Sequence, residues 1–98
     1  MKYLPSVTKA KHVERFIIEL TFDDGTKGAV DFSVWLSGGI FEPLRKKAAF
    51  KKFFLDGSTV VWPNGADIAP ETLYEATLAA IGHNTALDLT PQKRRKSA

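Results

Sequence analysis

The chain has 98 residues, enough for one domain with its own core, and it contains no cysteine, which excludes disulfides, thiolate catalysis and Cys-ligated zinc. Its net charge of +3 comes from the C-terminal end, because residues 1–92 hold ten Lys or Arg against eleven Asp or Glu. This balance excludes a basic domain surface built to bind nucleic acid. No apolar run approaches the roughly 20 residues that span a bilayer, and no signal peptide is recognisable, so we expect a cytoplasmic protein without membrane contact.

A first hairpin unit is predicted over residues 6–32. Apolar residues recur with period two from Phe16 to Phe22, which places one face of a strand in the core. Asp24-Gly25 lies between two alternating runs and predicts a tight turn, because Gly tolerates the positive φ that the turn requires. We interpret Asp23, Asp24 and Asp31 as turn residues and assign them no chemistry.

Short helices are predicted between this hairpin and the next. Ser33 is expected to cap a helical turn that ends at Leu36, and Gly38-Gly39 is expected to be a flexible link. Residues 42–53 combine apolar positions with five basic residues and predict short amphipathic helical segments with a solvated cationic face. The same composition also fits contact with nucleic acid or anionic lipid.

A second hairpin is predicted over residues 54–62, with its turn at Gly57-Ser58. Pro63 has no N–H to donate and ends the pairing. Pro70 suits the first position of a helix, and a helix over 70–81 that ends at Gly82 is predicted. The stripe expected to pack on the sheet is Leu73, Tyr74, Thr77, Leu78 and Ile81. The fold predicted is therefore α+β, with an antiparallel sheet from two hairpin units, short helices between them and a C-terminal helix.

The domain is predicted to span residues 1–90, followed by a disordered basic tail over 91–98. Four positive charges lie in this tail, at Lys93, Arg94, Arg95 and Lys96. They are expected to give at most weak, nonspecific contact with nucleic acid.

Reactive side chains do not combine anywhere into a recognisable catalytic set. His12 and His83 are the only histidines and have no ligand partners at metal-binding spacing. We therefore expect no catalytic residue, no cofactor and no metal.

The loop after the second hairpin is the predicted partner-binding site, because an aromatic residue, an amide and an acid gather there at a turn. Its predicted residues are Trp62, Asn64, Gly65 and Asp67. The alternative is that Trp62 is a core side chain and Asn64-Gly65 only reverses the chain. A further alternative is a small ligand-binding domain or enzyme with a polar site around Asn64–Asp67 and Glu71, which requires a pocket.

Five segments stand out together: Leu20-Thr21-Phe22-Asp23-Asp24-Gly25, Val30-Asp31-Phe32, Ile40-Phe41-Glu42-Pro43-Leu44, Leu73-Tyr74 and Val61-Trp62-Pro63-Asn64-Gly65-Ala66-Asp67, whose Trp-Pro-Asn-Gly-Ala-Asp part is the most specific. Together they resemble the small bacterial domain-of-unknown-function family 2442. The resemblance covers roughly residues 5–80 and implies an α+β fold with an antiparallel sheet and a packed C-terminal helix. The resemblance also implies that the chain is one half of a two-gene toxin-antitoxin-like pair. We therefore predict a non-catalytic protein-binding module, the antitoxin-like or regulatory partner of a second small protein encoded nearby.

Overall fold

The computed structural model describes residues 4–85 of the chain. Its strands form a three-stranded antiparallel sheet, β1-β2-β3, and a separate antiparallel hairpin, β4-β5. The elements in chain order are β1 (Val7–Glu14), β2 (Ile17–Phe22), β3 (Lys27–Asp31), a first 3-10 helix (Phe32–Trp35), a second 3-10 helix (Gly39–Arg45), α1 (Lys47–Phe50), β4 (Phe54–Asp56), β5 (Thr59–Val61) and α2 (Pro70–Thr85). The predicted α+β fold is confirmed, and the predicted tail over 91–98 lies outside the described residues.

The three-stranded sheet has one buried face and one face toward solvent. Ile18, Leu20 and Phe22 of β2 are buried, while the residues between them are partly exposed. The turn between β2 and β3 falls where the sequence predicts it, and Gly25 there has a φ of 91°.

Helix α2 covers the buried face by packing against β3. Gly28 permits this approach, since a Cβ there would lie 3.1 Å from side-chain carbons of both Thr77 and Ile81. Thr77 is fully buried, and its hydroxyl donates to the Leu73 carbonyl at 2.8 Å, so the polar atom is satisfied. Leu78, predicted to belong to the packed stripe, is instead 47% exposed.

One prediction for the connecting segments was wrong in detail. The cap of the first 3-10 helix is Asp31, whose carboxylate accepts the Ser33 N–H at 2.9 Å, because the helix begins at the buried Phe32. The segment 42–53 forms short helical segments, as predicted, because Lys46 has an extended backbone (φ −82°, ψ 124°) that separates the second 3-10 helix from α1.

Glycine positions also differ from their predicted roles. Gly39 begins the second 3-10 helix and so belongs to an element, whereas a flexible link was predicted. Helix α2 continues past Gly82 to Thr85, because a glycine inside a helix costs only about 1 kcal/mol relative to alanine.

Aromatic rings join the two sheets and the short helices into one core. Phe50 is fully buried and makes edge-to-face contacts with Phe16 and Phe32, at centroid distances of 5.2 and 5.9 Å. The backbone joins the sheets as well, because the Val7 N–H donates to the Ser58 carbonyl at 2.9 Å. Among the described helices, none is both long and apolar enough to cross a bilayer.

Candidate partner-binding site

Trp62 lies in the core, with only 1% of its surface exposed. Its indole N–H donates to the Phe50 carbonyl at 2.8 Å, and its ring contacts Phe32 and Phe41 as well as Phe50. Of the two interpretations of this residue, the structure shows the core side chain. Trp62 therefore anchors the loop that follows it.

Asn64 uses both of its polar side-chain atoms within the chain. Its Nδ2 donates to the Ile40 carbonyl at 2.9 Å, and its Oδ1 accepts the Ala66 N–H at 3.0 Å. The amide therefore clamps the loop to the second 3-10 helix.

Gly65 is required by the conformation of the loop. Its φ of 94° is one that residues with a side chain rarely adopt, although a Cβ there would meet only Ile40 Cδ1 at an ordinary 3.7 Å. Its N–H donates to the Trp62 carbonyl at 2.9 Å, which closes the reversal.

Asp67 forms part of a row of side chains on the outward face of the second hairpin. Phe54 lies opposite Val61 in β4-β5, and Val61 lies opposite Asp67 in an isolated antiparallel bridge. Directly opposed residues of antiparallel strands project to the same face, so we call Phe54, Val61 and Asp67 the outer row. Phe54 is 48% exposed, Asp67 is exposed and Val61 is partly exposed, while Val60 and Trp62 project to the core.

Of the four predicted site residues, Asp67 is therefore the one whose functional group faces solvent beside apolar side chains. Sequence reasoning missed Phe54 and Val61. A three-residue strand is too short for its alternation to show which face is buried.

Glu71 is exposed in the first turn of α2. One cleft, of about 400 Å³, lies at the start of β2 and is lined by Glu14, Arg15, Phe16, Ile17, Asp31 and Ser33, none of which was predicted as a site residue. Within residues 4–85, no three His, Asp or Glu side chains come together as a metal ion requires.

The turn at that cleft is held by His12. Arg15 has a φ of 47°, the single positive value among the described residues other than glycine. The His12 ring Nε2 lies 2.9 Å from the Arg15 carbonyl oxygen, to which it donates, so His12 supports a turn.

A hydrogen bond between side chains ties α2 to the β2-β3 turn. The Tyr74 hydroxyl donates to the Asp24 carboxylate at 2.7 Å, and the Asp24 Oδ1 also accepts the Thr26 N–H at 2.9 Å. The Tyr74 hydrogen bond lowers the pKa of Asp24, and the same bond raises the pKa of Tyr74. Both contacts belong to the turn, as the sequence predicts for Asp24.

Comparison with known proteins finds one family. A family model described as "Protein of unknown function (DUF2442)" matches residues 7–78, which extend from β1 into α2 and include the candidate loop. No curated protein and no solved structure matches the chain.

Proposed function

This chain belongs to the DUF2442 family, and from that membership and the surface described above we propose that it is a non-catalytic protein-binding module. The observation that carries the proposal is the outer row. Phe54 exposes 48% of its surface beside Val61 and the carboxylate of Asp67, on a strand whose three residues are all exposed. Aromatic residues surrounded by polar groups are typical of the energetically dominant part of protein interfaces.

Hydrogen bonds on the core side hold the loop that adjoins the outer row. The Trp62 indole is fixed to the Phe50 carbonyl, and the Asn64 amide fixes the following reversal to Ile40. A surface that is already ordered loses little conformational entropy on binding, so more of the contact energy remains as affinity. The predicted loop residues support the proposed surface in this way, with Asp67 contributing directly.

The partner we propose is a second small protein encoded beside this one. The family resemblance of the sequence implies such a two-gene arrangement in bacteria, in which this chain is the antitoxin-like or regulatory half and acts in the cytoplasm. The basic residues Lys93, Arg94, Arg95 and Lys96 then add weak, nonspecific nucleic-acid contact.

The test is co-expression with the products of the adjacent genes, followed by calorimetric titration of the partner that co-purifies. Phe54→Ser is expected to weaken binding by about tenfold or more, because it removes the exposed ring. Leu78→Ser is the matched control, since Leu78 is 47% exposed but lies on α2, and it is expected to leave affinity within about twofold. Equal affinities for Phe54→Ser and the natural chain would overturn the proposal, provided that both have the same melting temperature.

A further inference from the structure

Basic side chains are concentrated immediately before the outer row. Five occur within the eight residues Arg45–Lys52, and no acidic residue lies among them. Arg45 is paired with Glu42, at 3.6 Å between Nη1 and Oε2. The other four are exposed and, within the described part of the chain, have no carboxylate at ion-pair distance: Lys46, Lys47, Lys51 and Lys52.

This concentration does not reflect a basic domain. Residues 4–85 hold nine Lys or Arg against ten Asp or Glu, because Lys2, Asp88 and the four basic tail residues lie outside that range. The domain is slightly acidic as a whole, so four unpaired lysines within seven residues are a local feature.

The cluster is unfavourable for the isolated domain. Lys47 and Lys51 are one helical turn apart, with the Lys51 N–H donating to the Lys47 carbonyl at 3.0 Å. Like charges at this spacing repel each other across the turn. An anionic partner would remove that repulsion, whereas no contact in the described chain does.

The basic cluster lies next to the outer row along the chain. The Arg45–Lys52 stretch leads directly into β4, which begins with the exposed ring of Phe54. Lys52 precedes Phe54 by two residues, so its side chain can reach a segment bound over Phe54.

Two carboxylates on the same face favour a protein segment over a nucleic acid. Asp67 ends the outer row, and Asp56 projects to the same side as Phe54 because side chains alternate along a strand. A phosphate backbone laid along this face would meet both carboxylates, each carrying the same charge as the phosphates. A peptide can place acidic residues at the lysines and neutral ones beside Asp56 and Asp67.

We propose that this surface binds an extended segment of a partner protein that carries acidic side chains toward Lys51 and Lys52 and an apolar side chain onto Phe54 and Val61. The inference rests on the proposed function and adds the chemistry of the partner. Charge complementarity of this kind speeds association and makes binding sensitive to salt.

The experiment uses the full chain and three fluorescent probes: a ten-residue Glu-Leu peptide with Glu at one end and Leu at the other, a Lys-Leu peptide of the same pattern, and a ten-nucleotide single-stranded DNA. Fluorescence anisotropy at low and high salt is measured for the natural chain and for Lys51→Glu/Lys52→Glu. The matched control is Lys9→Glu/Lys11→Glu, which reverses two exposed lysines on β1. The basic tail is present in every variant, so differences between variants report on the cluster.

We expect the Glu-Leu peptide to bind the natural chain. The Lys51/Lys52 reversal and high salt are each expected to weaken its affinity by about tenfold. We expect the Lys9/Lys11 control to stay within about twofold and the Lys-Leu peptide not to bind. Absence of Glu-Leu binding at millimolar peptide, equal effects of the two reversals, or tighter Lys51/Lys52-dependent binding of the DNA would each overturn the inference.

Failure of this inference is distinguishable from failure of the proposed function. If Phe54→Ser weakens binding of the co-purified partner but the Lys51/Lys52 reversal does not, the protein-binding function stands and the proposed acidic segment is wrong. If neither variant changes the affinity for that partner, both the proposed function and this inference fail.

Discussion

Replacing Trp62 by alanine is the sharpest test of how the candidate loop is held. The substitution empties a site that is 1% exposed and contacts three aromatic rings, and truncating a large buried aromatic costs about 3–5 kcal/mol. It also removes the donor that the Phe50 carbonyl receives at 2.8 Å, which adds about 1–3 kcal/mol where that carbonyl is left unsatisfied. Domains of this size are stable by about 5–15 kcal/mol, so the variant is expected to be close to unfolding.

Urea unfolding followed by far-ultraviolet circular dichroism measures this loss, and the midpoint is expected to fall by at least about 1 M. Trp62→Phe is the control, because it keeps most of the ring but removes the N–H. Its expected cost is smaller, about 1–3 kcal/mol. A loss below about 1 kcal/mol for Trp62→Ala would refute the assignment of Trp62 to the core.

Three further predictions concern other parts of the chain. Tyr74→Phe is expected to raise the pKa of Asp24 toward its ordinary 3.8, measured by NMR titration of the carboxyl group, and an unchanged pKa would contradict the hydrogen bond as its cause. Because the pKa of Asp24 is lowered in the fold, its stabilising contribution is present above the unfolded pKa and is lost as the pH falls through the folded one. Gly28→Ala is expected to destabilise the domain by about 1–3 kcal/mol, because the added Cβ meets side chains of α2. Gly82→Ala adds a Cβ in open space and is expected to stabilise the domain by about 0.5–1 kcal/mol. Equal melting temperatures for these two variants would contradict the close packing at Gly28. Deleting residues 91–98 is expected to leave the free energy of unfolding within about 0.5 kcal/mol, since the segment has no apolar periodicity to bury, and loss of cooperative unfolding would show that it packs.

The candidate loop and the outer row differ in how far the sequence predicts them. The combination of an aromatic residue, an amide and an acid at a turn singles out the loop, and Asp67 is exposed there. Phe54 was not recognised, because an exposed aromatic in a short strand has the same local pattern as a buried one. Its position became evident through pairing with Val61, which itself lies beside Asp67.

By itself, the sequence determined those elements that depend on neighbouring residues. The period-two pattern of β2, the Asp24-Gly25 turn and the start of α2 at Pro70 all follow from local backbone preferences and spacing. The tertiary structure alone decided that Trp62 is buried and that the Asn64 amide bonds the carbonyl of Ile40, 24 residues away. It also decided which side chains share the outer row. Burial and hydrogen-bond partners of this kind depend on segments distant in the chain, and local propensity carries no information about which segments meet.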